Sequence, residues 1–253
     1  MSRSLFDAHL HIIDPAYPLI ANQGYLPEPY GVDDYRQEVA PFSMAGGAVV
    51  SGSFQGFDQT YLLAALERLG SGFVGVTQLP RHTSDEELER LDRAGVRGIR
   101  FNLYRGGSEG VEQLVGMAQR VFERCGWHTE LYVDSLALAP LLPALGDIPR
   151  YSIDHLGLRR EGLPLLLRAV EQGARVKATG FGRVTLDVAD SLRQIHQLDP
   201  SALMFGTDLP GTRAPRRFQA ADIALVEESL GSKAAERVLR LNALAFYRCG
   251  GEG

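Results

Sequence analysis

The sequence predicts a (β/α)8 barrel, and three observations support this. Eight short, nearly continuous apolar runs alternate with longer amphipathic stretches, as parallel strands covered on both faces alternate with helices. Charged and imidazole side chains recur at one end of these runs. The length of 253 residues suits one α/β barrel, so the whole chain, 1–253, reads as one domain.

Taken in order, the first strand is expected over Leu5–His11. The stretch Ile13–Gly31 follows, with four prolines and no clear element; a connection this long often serves as a binding loop or lid. A helix over Val32–Ala40 leads to a strand at Gly47–Gly52, and Gln59–Leu69 to Phe73–Gln78. The third helix, Asp85–Ala94, starts with Ser84 as cap, acids at the positive end of the dipole, and Glu87 at capping-box spacing. The fourth strand is Val96–Asn102, then a helix over Glu109–Arg124. His128–Val133, a helix over Leu136–Leu145, and Arg150–His155 come next. Leu163–Gln172 precedes Arg175–Thr179, and Asp187–Gln197 precedes Leu203–Asp208. Helices over Phe218–Leu230 and Lys233–Phe246 finish the chain. Several helices stop before glycine, as at Leu69-Gly70.

Periodicity alone also fits a doubly wound sheet. The polar strand ends favour the barrel, because only there do all C-terminal strand ends converge on one mouth. The first run carries Asp7, His9 and His11; the fourth, Arg100 and Asn102; the fifth, His128, Glu130 and Tyr132. The sixth ends in Asp154-His155, the seventh carries Lys177, and the eighth ends in Thr207-Asp208.

His9 and His11 stand two apart on a strand, so both imidazoles point to one face and can reach one metal or one substrate. Alone, an HxH pair is weak, and one member is readily a hydrogen-bonded core histidine. With His155 and Asp208 the pair makes a constellation suited to zinc or to activating a water. Arg100, Arg105 and Arg183 add planar forks that suit a carboxylate, which points to an anionic substrate. A surface ion pair is the plainer reading for Arg105. Lys177 could serve in the site but reads more readily as an internal partner of Asp154 or Glu130, His82 as a residue that could line the mouth, and His196 as a solvated helix residue. His128 starts its strand, away from the mouth, and Trp127 reads as packing.

Composition narrows the function further. Hydrophobic residues make up 45%, charged residues 23%, and the net charge is −5, which describes an ordinary soluble protein with no basic run for nucleic acid or an anionic membrane. No apolar run approaches the ~20 residues that span a bilayer. The opening MSRSLFDAHLHIID lacks a signal-peptide core, and the two cysteines, Cys125 and Cys249, form no CxxC pair. A cytoplasmic protein is expected. A glycine-rich phosphate loop and a GxSxG elbow are both missing, which disfavours nucleotide binding and a serine nucleophile.

The segments FDAHLHIID, AGVRGIRFNL, GWHTELYVD, YSIDHLG, VKATGFGR and MFGTDLP, with NALAFY near the end, occur together in this order. As a set they resemble the amidohydrolase-2 family over nearly the whole chain, and within it most closely the 2-pyrone-4,6-dicarboxylate lactonases and their relatives. The resemblance implies that Asp208 activates the attacking water and His155 assists the lactone carbonyl, with His9 and His11 lining the site. It also implies that Arg100, Arg183 and Tyr132 hold substrate carboxylates, with Ser53 and Arg105 nearby. Departures fall among substrate-binding positions: GTDLPG replaces GTDWPH, DHLGLR replaces DHxGR so that the arginine is displaced to Arg159 or absent from the site, and Arg105 stands one residue closer to its motif.

The family includes zinc hydrolases, zinc decarboxylases and metal-free lactonases. His9, His11, His155 and Asp208 therefore could be a zinc ligand set or could work without metal. The expected activity is hydrolysis of a small anionic lactone. The alternatives are a zinc-dependent decarboxylase or amide hydrolase of the same superfamily, and a barrel that binds small acids without turnover.

Overall fold

The computed structural model describes residues 4–249. Eight strands form one parallel sheet in sequence order, each paired with the next. They are β1 (Ser4–Leu10), β2 (Ser43–Val50), β3 (Phe73–Thr77), β4 (Val96–Asn102), β5 (His128–Tyr132), β6 (Tyr151–Ile153), β7 (Arg175–Ala178) and β8 (Leu203–Phe205). The sheet closes at its upper end, where Asp208 N donates to His9 O at 2.7 Å and His11 N to Leu209 O at 2.8 Å. The Asp7 carboxylate reinforces this seam, accepting from Thr207 N at 2.8 Å and Thr207 Oγ1 at 2.6 Å. Gly206 permits the close approach: a Cβ there would stand 2.7 Å from His9 N.

The intervening helices are α1 (Val32–Val39), α2 (Thr60–Leu69), α3 (Asp85–Arg93), α4 (Leu114–Cys125), α5 (Leu142–Leu145), α6 (Leu163–Glu171), α7 (Val188–Leu198) and α8 (Ala220–Leu230). Their apolar faces pack on the outside of the strands, with Leu62, Leu88, Leu91, Leu166, Leu192 and Ile195 buried. Ser84 caps α3 as expected, accepting from Glu87 N at 3.2 Å. The Glu87 carboxylate does not complete the box; it pairs with Arg90 at 2.7 Å.

Three helical segments differ from expectation. Residues 109–113 give only a single turn, Val111–Gln113, before α4. The helix expected over Leu136–Leu145 breaks into a turn at Ser135–Leu138 and the short α5, because Pro140 and Pro143 cannot donate to the helix ladder. The last helix splits into α9 (Ser232–Glu236), a π turn at Arg237–Leu241 and α10 (Asn242–Tyr247). This segment plugs the lower end of the barrel. Phe246 and Tyr247 pack with Phe6, Ala8, Val50 and Met204 in the interior, and Asn242 Nδ2 donates to Leu203 O at 2.9 Å. Among the described residues no helix is long and apolar enough to cross a membrane.

Candidate active site

The C-terminal strand ends converge on a narrow cleft. Of the residues singled out from sequence, His11, Ser53, Arg100, Arg105, Tyr132, His155, Arg183 and Asp208 line it. His9 lies just beneath, fully buried, with its ring 4.9 Å from those of His11 and His155. His82 is exposed and does not line the cleft. His196 is half-buried rather than solvated. Arg159 turns away to Asp134 at 3.0 Å, so no arginine from the DHLGLR segment enters the cleft.

Asp208 occupies the centre. One oxygen, Oδ2, accepts from Arg183 Nε at 2.9 Å and also from Arg183 Nη2. The other, Oδ1, has no hydrogen-bond partner among the described residues, and lies 3.7 Å from His11 Nε2 and 3.9 Å from His9 Nε2. Burial alone would raise this carboxyl, but the Arg183 guanidinium outweighs it and holds Asp208 below the usual carboxylate range. Burial keeps His155 well below the ordinary imidazole value, so its ring is neutral and has one N–H to donate. Both residues have left-handed backbone, φ 59° at Asp208 and φ 52° at His155, which a non-glycine residue adopts only when its surroundings compel it. Gly180 makes room for this arrangement: a Cβ there would stand 2.7 Å from His155 Nδ1 and 2.9 Å from Arg183 Nε.

Arg100 is already largely engaged. Its Nη2 donates to Asp154 Oδ2 at 2.8 Å and its Nη1 to Ser51 O at 2.8 Å, while its guanidinium stands 5.2 Å over the Tyr132 ring. Arg183 Nη1 donates to Tyr132 Oη at 3.5 Å. Two basic forks are thus fixed at the floor and wall of the cleft.

Below the cleft lies a second ionisable group, around Glu130. Lys177 Nζ donates to Glu130 Oε2 at 2.5 Å, Tyr247 Oη to Glu130 Oε1 at 2.7 Å, and His128 Nε2 stands 3.2 Å from the same Oε1. Burial would raise Glu130, but Lys177 and His128 reverse that and hold it low. Lys177 therefore pairs inside the barrel, as the sequence suggests, and it touches both candidates: Asp154 Oδ1 lies 3.7 Å away. It also stands 3.2 Å from His9 Nδ1.

One ligand atom from each of His9, His11 and Asp208 lies within 4.8 Å of the others, and His9 Nε2 and Asp208 Oδ1 have no hydrogen-bond partner among the described residues, so the three residues fit one divalent ion. His11 Nδ1 is 2.7 Å from Val50 O, the backbone contact that leaves Nε2 free to ligate. His155 is not in this set; it groups with His9 and Asp154. At His9 an ammonium can only donate, so with Lys177 on Nδ1 the ring hydrogen sits on Nε2. Binding an ion through His9 would require Lys177 to release it.

Sequence reasoning missed Tyr25, Thr212 and Arg213, which complete the cleft wall. They sit on loops without periodicity. Only the proline-rich length of Ile13–Gly31 signalled that part of the wall.

The amidohydrolase-2 family model, described as "Amidohydrolase", matches residues 6–249. Two curated relatives align over most of the chain. A 2-pyrone-4,6-dicarboxylate hydrolase from Comamonas testosteroni is 26% identical over 238 residues, covering 81% of this chain and 76% of the relative. A D-galactarolactone isomerase from Agrobacterium fabrum is 25% identical, covering 97% and 91%. Among solved structures, a protein from Acinetobacter baumannii described as a "probable 2-pyrone-4,6-dicarboxylic acid hydrolase", with citric acid bound, superposes with a TM-score of 0.83 at 20% identity, covering 96% and 99%. This last match speaks for the fold.

Proposed function

Since this chain belongs to the amidohydrolase-2 family and is a hydrolase, we propose that it opens the ring of a small anionic lactone with a water activated by Asp208. The observation that carries this reading is Asp208 Oδ1: a buried, ionised oxygen with no partner, at the floor of an arginine-lined cleft. Lactone-processing relatives support the same substrate class.

The substrate's acidic group docks on Arg100 and Arg183, beside Tyr132 and Ser53, with Arg105 nearer the rim. Water gives a proton to Asp208 Oδ1 while its oxygen bonds to the lactone carbonyl carbon. The oxyanion is held by the neutral His155 ring and by His9, whose Nε2–H points to the same space. The ring C–O bond then breaks, and the leaving oxygen takes the proton from Asp208. Arg183 makes free Asp208 a weak base. An anion docked on Arg183 offsets that charge, so Asp208 becomes more basic when substrate is present.

If a divalent ion is bound, His9, His11 and Asp208 would hold it, and it would polarise the carbonyl and acidify the water. That geometry also keeps open a second reading, a metal-dependent decarboxylase or amide hydrolase. The test is loss of ring absorbance of 2-pyrone-4,6-dicarboxylate and other acidic lactones, with purified protein before and after chelation. Turnover that survives chelation supports the water-and-carboxylate reading. Turnover lost on chelation and restored by zinc assigns the ion a role. Bound zinc with no lactone turnover moves the protein to the second reading.

A further inference from the structure

His9 and His11 stand two apart at the end of β1, yet their rings are set in opposite tautomers. What faces each Nδ1 decides this. His11 Nδ1 lies 2.7 Å from Val50 O, which can only accept, so Nδ1 carries the ring hydrogen and Nε2 is bare. His9 Nδ1 lies 3.2 Å from Lys177 Nζ, which can only donate, so Nδ1 is bare and Nε2 carries the hydrogen. The pair therefore offers the cleft one acceptor and one donor, where an ion held by both histidines needs two lone pairs.

Two neighbours compete for His9 Nδ1. Asp154 Oδ1 stands 3.6 Å from it and has no hydrogen-bond partner among the described residues. A carboxylate in that place would accept a hydrogen from Nδ1 and free Nε2 to ligate, the usual arrangement behind a metal-bound histidine. Lys177 holds the place instead. Its ammonium is fully buried, is anchored on Glu130 Oε2 at 2.5 Å, and lies 3.7 Å from Asp154 Oδ1. The anchor is itself fixed: Tyr247 Oη donates to Glu130 Oε1 at 2.7 Å, and His128 Nε2 stands 3.2 Å from the same oxygen. The contact between Lys177 Nζ and His9 Nδ1 thus ties the state of one ring at the cleft floor to the ion pair beneath it.

We propose that Lys177 is a positioning residue that holds His9 as its Nε2–H tautomer, which keeps a hydrogen-bond donor at the cleft floor and closes the group of His9, His11 and Asp208 to divalent ions. The use of that donor on an oxyanion rests on the lactone reading. The tautomer and the exclusion of ions do not, and both are tested without turnover. Heteronuclear NMR of wild type carrying isotope-labelled histidine should place the His9 hydrogen on Nε2 and the His11 hydrogen on Nδ1, each ring assigned by its loss in His9→Gln or His11→Gln. A His9 ring with its hydrogen on Nδ1 would overturn the proposal. Zinc is then titrated calorimetrically into chelator-stripped wild type, Glu130→Gln and the double variant Lys177→Met with Glu130→Gln, which keeps the wild-type net charge. In Glu130→Gln the amide oxygen still accepts from Lys177, so zinc should bind as weakly as in wild type. In the double variant Asp154 takes the His9 Nδ1–H, and zinc should bind about 10- to 100-fold more tightly than in wild type, since one charge-assisted hydrogen bond no longer has to break. Adding His9→Gln should abolish that gain. Equal zinc affinity in wild type and the double variant would overturn the exclusion, as would tight wild-type binding that His9→Gln removes. The wild-type spectrum and the wild-type titration decide the matter if the double variant does not fold. Absence of lactone turnover in a protein with the expected tautomers would remove only the lactone reading.

Discussion

The barrel holds two ionisable groups, one at its mouth and one a layer below, and they are finished differently. Around Glu130 the carboxylate oxygens, the Lys177 ammonium, the His128 ring and the Tyr247 hydroxyl all find partners within 3.2 Å. At the mouth, His9 Nε2, His155 Nδ1, Asp154 Oδ1 and Asp208 Oδ1 are buried and lack hydrogen-bond partners among the described residues. A buried polar atom left unmatched costs folding free energy, so a cluster of them facing a cleft marks where a ligand or water is to be met. On the proposed reading, the lower group serves stability and the upper one chemistry.

Substitutions can break this comparison. The largest effect is expected at the mouth. Asp208→Asn should lower kcat by a factor of about 10² to 10⁴, the usual contribution of a positioned base, while the protein stays folded and still binds anions. Steady-state kinetics with thermal unfolding on the same sample checks it. In the lower group, Glu130→Gln should cost about 3 kcal/mol of stability, since it leaves the buried Lys177 ammonium only the more distant Asp154 carboxylate, at 3.7 Å, read as a lowered denaturant midpoint. Folded Glu130→Gln should keep its kcat. A Glu130→Gln protein of normal stability with a collapsed kcat would reverse the assignment of the two groups.

A third test uses pH. Burial pushes Asp7 up to about 6 from 3.8, against the hydrogen bonds it accepts from Thr207, His9 and Tyr35. Its folded value lies above its unfolded one, so the stability it adds is present below about pH 4 and is lost as pH rises through about 6. At about 1.4 kcal/mol per unit this amounts to about 3 kcal/mol. Asp208 has the opposite sign: its value is depressed, so its contribution is present above its unfolded value and is lost as the solution is acidified. Unfolding curves from pH 4 to 7 should therefore lose a destabilising slope in Asp7→Asn. An unchanged slope would mean that Asp7 stays ionised in the fold. The smallest effect is expected at Gly180. Its Cβ in Gly180→Ala would push on His155 Nδ1 and Arg183 Nε, and should lower kcat by about tenfold and raise KM, since Arg183 also holds the substrate's acidic group.

The strands were legible because parallel strands buried on both faces leave continuous apolar runs, and the polar residues ending those runs had to meet at one mouth. His9, His11, His155, Asp208 and the arginines of β4 and the β7 loop follow from that geometry. Local backbone chemistry was less legible. Pro140 and Pro143 break α5 inside an apolar pattern that reads as helix, and the π turn at Arg237–Leu241 leaves no periodic trace. Arg213 escaped notice because its position depends on contacts with Asn22, Gln23 and Tyr25, nearly two hundred residues earlier in the chain. Asp154 looked like a partner for Lys177, yet its shorter contact is with Arg100, across the barrel interior from β4.

The most direct measurement is kcat for wild type, Asp208→Asn and Glu130→Gln on one acidic lactone, 2-pyrone-4,6-dicarboxylate first, with each protein confirmed folded. The account predicts ring opening by wild type, near-complete loss in Asp208→Asn, and a rate close to wild type for folded Glu130→Gln. Ring opening by Asp208→Asn at the wild-type rate would contradict it, because the orphaned carboxylate at the mouth would then not be the base.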